Sequence, residues 1–379
     1  MKQFPLIHQG SVKNIHGDYA QSPLLFHFSN RYSIFDWGEM PDHIEKKGEA
    51  LAAFTTGCFT MLERPNVWRE LVRPILPLLS PAEKAGLERF ESTGMSHHFL
   101  GKYNLSGQKL GAHVGTDCIG VLPFKVLRPP FQDGHYDYAL YNTKPERCLI
   151  PLEAIFRFAL PEGSSLLKRL KNPEVVLDLN LDQVPVAGAK FERPLVEFST
   201  KLEPSDRMLR LREAEEISGC GRHEFENLNT HIRLLAYLLQ GAFARHEIEL
   251  QDGKFEFGFG EGRQIILLDA IGPDELRLEY RGMQLSKEVL RRFYRKTAWF
   301  QEWESYKKKN GENQSGPDWK KEARAAVGAP PALPPAFKKS ISNMYCALAN
   351  VVADGAQINR PFPEVPELGQ VARSLQEFA

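Results

Sequence analysis

Two carboxylates and an ammonium within residues 246–278 have the side-chain types of a site for a divalent cation and phosphate. They belong to Lys254, Glu256 and Asp269. Carboxylate oxygens on a shared surface can hold Mg²⁺, which keeps several waters and takes phosphate oxygens from a nucleotide. A solvated polar face on an amphipathic hairpin accounts for the same pattern, and the spacing alone favours this plainer interpretation.

A β-hairpin would bring the three side chains together. Residues 254–259 alternate charged and aromatic side chains, which is typical of a half-buried strand. If residues 261–262 form a two-residue turn, the returning strand places Asp269 opposite Lys254. Because residues two apart share a strand face, Glu256 becomes a diagonal neighbour of Asp269, with roughly 7–8 Å between their backbones.

The composition is that of an ordinary globular protein. The chain has 379 residues, of which 42% are hydrophobic and 25% charged, enough for one large domain or two. Lys+Arg and Asp+Glu both total 48, so the net charge of zero argues against nucleic acid or an anionic membrane as a partner. No run has the length of a signal peptide core or a membrane span, and the five cysteines form no CxxC pair. We therefore expect a soluble, unexported cytoplasmic protein with reduced thiols. The neighbouring His97 and His98 would point in different directions, so no metal site is expected there.

Local apolar spacing divides the rest of the chain into strands and helices. Strands are predicted over 6–16 (as a hairpin that bends at Gly10), 24–28, 136–141, 146–160 and 247–250, the last of these before a turn at 251–253. Helices are predicted over 49–62, 67–79, 225–245, 286–303 and 337–353, with a short one near the end. Residues 307–335 are polar and then rich in proline and alanine, which favours a linker or a surface strap.

The hairpin at 6–16 and a basic segment at 162–170 are candidate anion sites. In the hairpin, Gly10 lets backbone N–H groups approach phosphates, and Lys13 adds positive charge. The hairpin lacks the GxxxxGK[ST] pattern, and a lone glycine turn is far more often only a turn. In the second segment, small residues precede Lys168, and a helix start there would favour an anion. A capped surface helix is an equal alternative.

Six short motifs occur in a fixed order between residues 8 and 280. They are QGSVKNIH, RYSIFD with KKG, IPLEAIFR, GSSLLKRL, FSTKLEPSD, and DGKFEFGF followed by LLDAIGPDELRL. Together they resemble the SAICAR synthetase family, the phosphoribosylaminoimidazole-succinocarboxamide synthases of purine biosynthesis. Each motif is weak alone, whereas the ordered set is specific and spans roughly three-quarters of the chain.

Members of this family couple ATP hydrolysis to amide formation between carboxyaminoimidazole ribotide and L-aspartate, through an acyl phosphate. The resemblance implies ATP and Mg²⁺ as cofactors and small molecules as partners, with a homo-oligomer possible. It implies nucleotide contacts from Gly10, Ser11, Lys13, Leu149, Ile150 and Lys254, and metal ligands from Glu256 and Asp269. It implies substrate contacts from Ser33, Asp36, Glu153, Arg157, Ser164, Ser165, Lys168 and Arg277. It implies catalytic roles for Lys201, Asp206 and Lys254.

The chain departs from the family pattern in several places. Ser11 stands where a second lysine is common, and Ala270 where an acidic residue commonly follows the metal aspartate. The segment before Ser164 and Ser165 is longer than usual, which leaves the choice between the two serines open. The region 49–150 is enlarged, and the chain extends beyond the family's usual end.

The resemblance implies an α+β fold of two lobes, in which antiparallel sheets carry packed helices and ATP binds in the cleft between them. We predict an N-terminal lobe over 1–150, a C-terminal lobe over 151–305, and a linker with a helical extension over 306–379. Two other functions use the same residues. One is an ATP-dependent small-molecule kinase, and the other is a nucleotide-binding relative without catalytic turnover, for which Ser11 and Ala270 are the supporting features.

Overall fold

Runs of strands and runs of helices follow each other along the chain. A computed structural model describes residues 4–35, 37–310 and 319–378. Within those ranges the strands are β1 (Leu6–Gln9), β2 (Lys13–His16), β3 (Leu24–Phe28), β4 (Phe99–Lys102), β5 (Cys118–Val121), β6 (Phe131–Gln132), β7 (His135–Tyr136), β8 (Cys148–Ala159), β9 (Lys190–Thr200), β10 (Met208–Leu209), β11 (Ile248–Phe259), β12 (Ile265–Leu268), β13 (Leu276–Tyr280) and β14 (Met283–Gln284). The helices are α1 (Lys47–Leu62), α2 (Pro65–Leu71), α3 (Pro81–Thr93), α4 (Ser165–Arg169), α5 (Pro173–Asp178), α6 (Leu211–Ser218), α7 (Arg222–Ala244), α8 (Glu288–Arg295), α9 (Ala298–Asn310), α10 (Trp319–Val327), α11 (Pro335–Gly355) and α12 (Leu368–Gln376). Short 3₁₀ helices span Arg73–Leu78, Ala139–Thr143 and Glu261–Arg263.

Two antiparallel sheets carry the fold. The first sheet has the strand order β1-β2-β3-β5-β4, and the central sheet has the order β10-β9-β8-β11-β13-β14, with β12 also paired to β11. Strands β6 and β7 form a separate ribbon. Neighbouring strands in both sheets run antiparallel. This confirms the predicted α+β class with antiparallel sheets and packed helices.

Strand β11 organises the central sheet because two strands share one of its edges. Strand β8 pairs along one edge, while the other edge pairs with β13 near its start and with β12 near its end. The predicted turn at 251–253 is therefore wrong, since β11 continues through these residues. Gly253 fits there because a Cβ atom would lie 2.6 Å from the side chain of Leu276 and 2.7 Å from that of Phe156.

The turn between β11 and β12 holds three residues, not the predicted two. The backbone N–H of Gly260 donates to the carbonyl of Gln264 at 2.8 Å, which closes the loop around Glu261–Arg263. The pairing consequently shifts by one residue, so that Glu256 lies opposite Leu268. The predicted pairing of Lys254 with Asp269 is wrong for the same reason.

Tertiary contacts of Arg263 favour this longer turn. Its guanidinium carbon lies 3.7 Å from the ring centroid of Phe259, and its Nε donates to Glu224 at 2.6 Å. These contacts hold Arg263 at a φ of 56°, next to Gly262 at 61°. Because Glu224 belongs to a different part of the chain, the hairpin sequence alone did not reveal the turn length.

Most of the predicted helices and strands are confirmed. The hairpin at 6–16, the strand at 24–28, and the helices over 49–62, 225–245 and 337–353 correspond to β1–β2, β3, α1, α7 and α11. The strand predicted over 136–141 is wrong beyond its first residue, because Ala139–Thr143 is a 3₁₀ helix. The helix predicted over 286–303 divides into α8 and α9, and the predicted linker contains α10.

One hydrophobic core joins the two sheets to the C-terminal helix α11. Its buried residues include Phe54 of α1, Leu235 of α7 and Leu348 of α11, each 0% exposed. Helices α1 and α11 pack closely, since a Cβ atom on Gly57 would lie 2.6 Å from the side chain of Val352. Both predicted boundaries fall within elements, at 150 in β8 and at 305 in α9. The three-part division stays a prediction.

Among residues 4–35, 37–310 and 319–378, no helix combines the length and the apolar character that crossing a membrane requires.

Candidate active site

A cavity of about 410 Å³ lies between the first sheet and the central sheet. The hairpin β1–β2 and strand β3 line one side, and the opposite side comes from β8, β11 and the link between β12 and β13. Its polar residues include Lys13, Lys201, Glu256, Asp269 and Glu275. The structure thus brings together the predicted phosphate hairpin and the predicted metal ligands.

The glycine hairpin is closed by its own backbone. The N–H of Gly10 donates to the carbonyl of Lys13 at 2.9 Å. A Cβ atom on Gly10 would lie 2.6 Å from that carbonyl oxygen, so only glycine allows this approach. Arg31 supports the hairpin from outside, because its guanidinium donates to the carbonyls of Gly10 at 3.0 Å and Ser11 at 3.3 Å. The side chain of Ser11 is exposed.

Lys13 connects the hairpin to Asp269, with which it forms an ion pair. Asp269 follows the end of β12 and has a φ of 59°. The Nε2 of His98 bonds to the backbone carbonyl of Asp269 at 2.9 Å, which stabilises this left-handed conformation. Asp269 therefore reaches the cavity through its backbone conformation, not through the predicted strand pairing. Desolvation lowers the pKa of Lys13, an effect that the carboxylates of Glu256 and Glu275 oppose.

Two lysines and two glutamates form a charge cluster on the central sheet. Lys254 Nζ donates to Glu153 Oε1 at 2.7 Å. Lys201 Nζ lies 3.0 Å from the same oxygen and 2.7 Å from Glu256 Oε1. Strand pairing explains the proximity, since Glu153 on β8 lies opposite Glu256 on β11 and opposite Ser199 near the end of β9. The cluster alternates positive and negative groups.

The cluster shifts the pKa of Glu153, Lys201 and Lys254 towards the charged forms. Burial alone would raise the pKa of Glu153, but the ammoniums of Lys254 and Lys201 outweigh it and lower the pKa. Burial alone would lower the pKa of Lys201, but Glu256 and Glu153 outweigh it and raise the pKa. The pKa of Lys254 is raised against burial in the same way, mainly by Glu153. Glu153, Lys201 and Lys254 are therefore ionised at neutral pH.

The cavity has the chemistry for a metal-bound nucleotide. Glu256 and Asp269 both present carboxylate oxygens to it. In the part of the chain that the structure describes, no group of three or more His, Cys, Asp or Glu could hold a metal by itself. Two carboxylates completed by water and phosphate are the usual Mg²⁺ arrangement. An apolar cluster with Leu149, Ile266 and Leu268 at its centre offers a surface for a base.

Leu149 and Ile150, two of the predicted nucleotide contacts, differ in the position of their side chains. Leu149 lines the cavity, and its backbone N–H donates to the carbonyl of Lys125 at 2.9 Å. Ile150 is 1% exposed and its side chain belongs to the main core. The structure therefore brings only the Leu149 side chain to the cavity.

Most of the predicted substrate residues lie outside this cavity, around a second set of ion pairs. Arg157 donates to Glu197 at 2.7 Å and to Asp252 at 3.1 Å. Arg277 donates to the same oxygen of Asp252 at 2.9 Å. The side chain of Arg157 is 8% exposed and that of Arg277 is 23% exposed, so Arg277 is the more accessible cation.

The serine segment before α4 lies near these arginines. Arg169 of α4 lies 2.6 Å from Glu197, the carboxylate that also accepts from Arg157. The hydroxyl of Ser164 is buried and has no hydrogen-bond partner among the described residues, whereas Ser165 and Lys168 are exposed. A buried hydroxyl without a partner is a candidate ligand contact.

Ser33 and Asp206 lie outside the cavity. Ser33 is partly buried and does not line the cavity. Asp206 is exposed in the loop between β9 and β10. Asp36 lies outside the described residues.

The comparison with known proteins identifies the family. Residues 6–306 match the model of the SAICAR synthetase family. The chain is also 35% identical over 374 residues to a putative phosphoribosylaminoimidazole-succinocarboxamide synthase of Archaeoglobus fulgidus, covering 97% of this chain and 99% of that protein. The chain belongs to the SAICAR synthetase family.

Other SAICAR synthetases are more distant. The phosphoribosylaminoimidazole-succinocarboxamide synthase of Thermoplasma acidophilum is 29% identical over 303 residues, which cover 78% of this chain and 84% of that protein. A solved SAICAR synthase is 18% identical with a TM-score of 0.53, and the match covers 93% of this chain and 95% of that one. A solved SAICAR synthetase in complex with ADP is 20% identical with a TM-score of 0.50, covering 82% of this chain and 99% of that one. The two structures show that the fold is shared.

Sequence reasoning missed several residues around the cavity. His98 and Arg128 line it from the region 82–135, to which no function was assigned. Asp274 and Glu275 line it from the link before β13. The PDELR motif contained these two acids and was the signal that could have found them, whereas His98 acts on Asp269 from 171 residues away and had no local signal.

Proposed function

We propose that this SAICAR synthetase family protein is an ATP-dependent ligase that joins carboxyaminoimidazole ribotide and L-aspartate to form SAICAR in purine biosynthesis. One observation supports this most strongly: the glycine hairpin, its partly buried Lys13 and the carboxylates of Glu256 and Asp269 face one cavity. A family member with this arrangement has the groups that bind a nucleoside triphosphate and its metal ion. The reaction belongs to metabolism that uses free ATP and L-aspartate, which supports the expected cytoplasmic location.

The nucleotide would lie between the hairpin and the central sheet. Gly10 and Ser11 would offer backbone N–H groups to its phosphates, and Lys13 would neutralise them. Glu256 and Asp269 would hold Mg²⁺, which supplies positive charge to the phosphate oxygens when bound. The ADP complex of a family member with the same fold supports nucleotide binding here.

The ribotide would bind beyond the charge cluster. Arg277 is the accessible cation there, while Arg157 orients the shared carboxylate of Asp252. A guanidinium suits phosphate and carboxylate because it donates two parallel hydrogen bonds. Ser164 and Ser165 at the start of α4, with Lys168 near its end, would complete the anion contacts.

Lys201 and Lys254 would act between the two binding regions. Their shared partner Glu153 holds both ammoniums in place, and their raised pKa values keep them charged at neutral pH. Positive groups fixed before the reaction stabilise negative charge that develops when the ribotide carboxylate becomes an acyl phosphate and the amine then attacks it. The exposed Asp206 would contact the amine substrate.

The direct test measures ADP release by the purified protein with ATP, Mg²⁺ and carboxyaminoimidazole ribotide, with and without L-aspartate. We expect ADP release that requires both substrates and a succinocarboxamide product detected by mass. ADP release with the ribotide alone and a phosphorylated product would indicate the kinase. Tight nucleotide binding without turnover under either condition would indicate the non-catalytic relative.

A further inference from the structure

Helix α11 contacts a residue of the cavity lining through a buried tyrosine. Tyr345 is 1% exposed, and its hydroxyl donates to Asp274 Oδ1 at 2.6 Å. Asp274 itself lines the cavity. Helix α11 lies beyond residue 306, where the match to the family model ends.

Both oxygens of Asp274 are bonded, so its carboxylate is fixed. Lys47, at the start of α1, donates to Oδ2 at 2.8 Å, and its ammonium lies 5.1 Å from the ring centroid of Tyr345. The side chains of Lys47 and Asp274 are 0% and 2% exposed. A charged pair buried this deeply needs further hydrogen bonds to offset desolvation, and Tyr345 supplies one.

Asp274 belongs to a tight turn that presents residues to the cavity. The N–H groups of Glu275 and Leu276 both donate to the carbonyl of Gly272 at 3.0 Å. The carbonyl of Glu275 in turn accepts from the N–H of Lys254 at 3.2 Å. Asp274 therefore belongs to a hydrogen-bonded turn that also contains Glu275 and is joined to the backbone of Lys254.

Helix α11 is held rigidly enough to position this turn. Near its start, Lys338 donates to Asp42 at 2.8 Å, and one turn later Ser342 donates to the carbonyl of Glu45 at 2.7 Å. Towards its end, Val352 packs against Gly57 of α1. Tyr345 lies between these anchors, on a helix that is buried along most of its length.

We propose that Tyr345 is a positioning residue of the nucleotide cleft, which acts through Asp274 to hold the turn 272–275 beside Lys13 and Lys254. The C-terminal segment is then part of the active site and not an appendage. The inference rests on the proposed nucleotide site. It extends that site to a helix that the family model does not include. The alignment with the Archaeoglobus fulgidus relative covers 97% of the chain and so includes this helix.

The test compares Tyr345→Phe with Tyr294→Phe. Tyr294 is the control because it is 0% exposed and does not line the cavity, while its hydroxyl donates to the carbonyl of Pro331 at 2.9 Å and also bonds to the hydroxyl of Tyr32 at 2.9 Å. We expect both variants to fold with a loss of thermal stability, at least as large for Tyr294→Phe because it leaves the buried hydroxyl of Tyr32 without this partner. Only Tyr345→Phe should weaken MgADP binding, by about tenfold, as for a lost hydrogen bond to a charged group. Equal dissociation constants for the unaltered protein and Tyr345→Phe would show that the tyrosine is only a packing residue.

A second measurement does not depend on the proposed function. Amide hydrogen exchange of the protein without nucleotide should be faster at Glu275 and Leu276 in Tyr345→Phe, while the amides of α11 stay protected. Unchanged exchange at these two amides would overturn the inference even if the nucleotide binds. If the unaltered protein binds no MgADP, the proposed function fails. Faster exchange in the variant would then still support the role of Tyr345 in holding the turn.

Discussion

The cavity has a hairpin wall, formed by β1, β2 and β3, and a sheet wall, formed by β8, β11 and the link between β12 and β13. The two walls stabilise their charged groups in different ways. On the hairpin wall, β1 is mostly exposed, and Lys13 reaches across the cavity to Asp269 for its ion pair. On the central-sheet wall, β8 is buried along nearly its whole length, and Glu153 binds two lysines on the same wall. The charge cluster around Glu153 is paired within the sheet wall, whereas Lys13 of the hairpin wall takes its partner, Asp269, from across the cavity.

This difference separates binding from stability. Removing a charge from the cluster around Glu153 leaves buried partners unpaired, so the folded state itself loses free energy. Removing a charge from the pair of Lys13 and Asp269, which spans the cavity, changes what the cavity can hold, with little effect on the fold. Variants of matched chemistry in the charge cluster and in the pair across the cavity can therefore confirm or refute the comparison.

The largest effect is expected for Asp269→Asn. Asparagine tolerates the left-handed backbone at φ 59°, so the bond from His98 to the backbone carbonyl is retained while the charge is lost. We expect Mg²⁺-dependent nucleotide affinity to fall by about a hundredfold, because a metal ligand and the partner of Lys13 disappear together. Calorimetry with and without EDTA measures this.

Asp133→Asn is the matched control for this variant. Asp133 is also an aspartate with a positive φ, at 49°, but it is exposed in the turn between β6 and β7. We expect it to leave nucleotide affinity unchanged. A similar small change in both variants would contradict the metal assignment.

The next effect concerns stability. Glu153→Gln removes the negative charge that Lys201 and Lys254 share, while an amide oxygen stays as an acceptor. We expect the free energy of unfolding to fall by about 2 kcal/mol, below the range for fully buried pairs because Lys254 is 40% exposed. Denaturant titration measures the loss. Glu249→Gln, which breaks the exposed pair with Lys190, should cost less than about 1 kcal/mol.

The pH dependence of this loss follows from the directions of the pKa shifts. The pKa of Glu153 is lowered from 4.5, so its stabilisation is present above that value and is lost as pH falls further. The pKa of Lys201 is raised from 10.5, so its stabilisation is present below that value and is lost as pH rises further. The difference between the unaltered protein and Glu153→Gln should thus be constant between these limits. A difference that changes steeply near neutral pH would contradict the paired cluster.

A smaller effect is expected at the outer part of the central sheet. Arg277→Gln should weaken ribotide binding by about tenfold, as for the loss of one charged hydrogen-bond donor, and leave nucleotide affinity unchanged. Arg281→Gln is the control, since Arg281 is 66% exposed and pairs with Glu247 on the surface. Equal losses for ribotide and nucleotide in Arg277→Gln would show a structural role.

The smallest effect is expected on the hairpin. Ser11→Lys restores the second lysine that the family commonly has. Because the side chain of Ser11 is exposed, we expect only about threefold tighter MgATP binding at low ionic strength and no gain at about 1 M salt. A gain that persists at high salt would mean that the new ammonium is buried, and that the hairpin resembles the sheet wall more than its exposure suggests.

Local pattern predicted the elements but not the way they meet. The glycine hairpin, β3, α7 and α11 follow from apolar spacing within each segment, and these predictions are confirmed. The predicted register of β12 was wrong because contacts with Glu224 and other distant residues hold Arg263 in the turn. These contacts outweigh the preference of the glycine for a two-residue turn. Turn length in this hairpin is a tertiary property.

The site shows the same limit. Glu256 and Asp269 line one cavity, as predicted, but they are not brought together by the predicted strand pairing. The orientation of Asp269 depends on His98, 171 residues away, and that of Asp274 on Tyr345, 71 residues away. The sequence around His98 and around Tyr345 contains no local pattern that predicts these contacts. The roles assigned to the site residues stay predictions until the variants are measured.

The shared edge of β11 has a consequence for the energetics of ligand binding. Strands β12 and β13 both pair with this one strand, so both ends of the connecting segment 269–275 are fixed in position. A short segment with fixed ends has few conformations left to lose. A ligand that contacts this segment would then bind without the entropic penalty of ordering a loop, which is the thermodynamic basis of preorganisation.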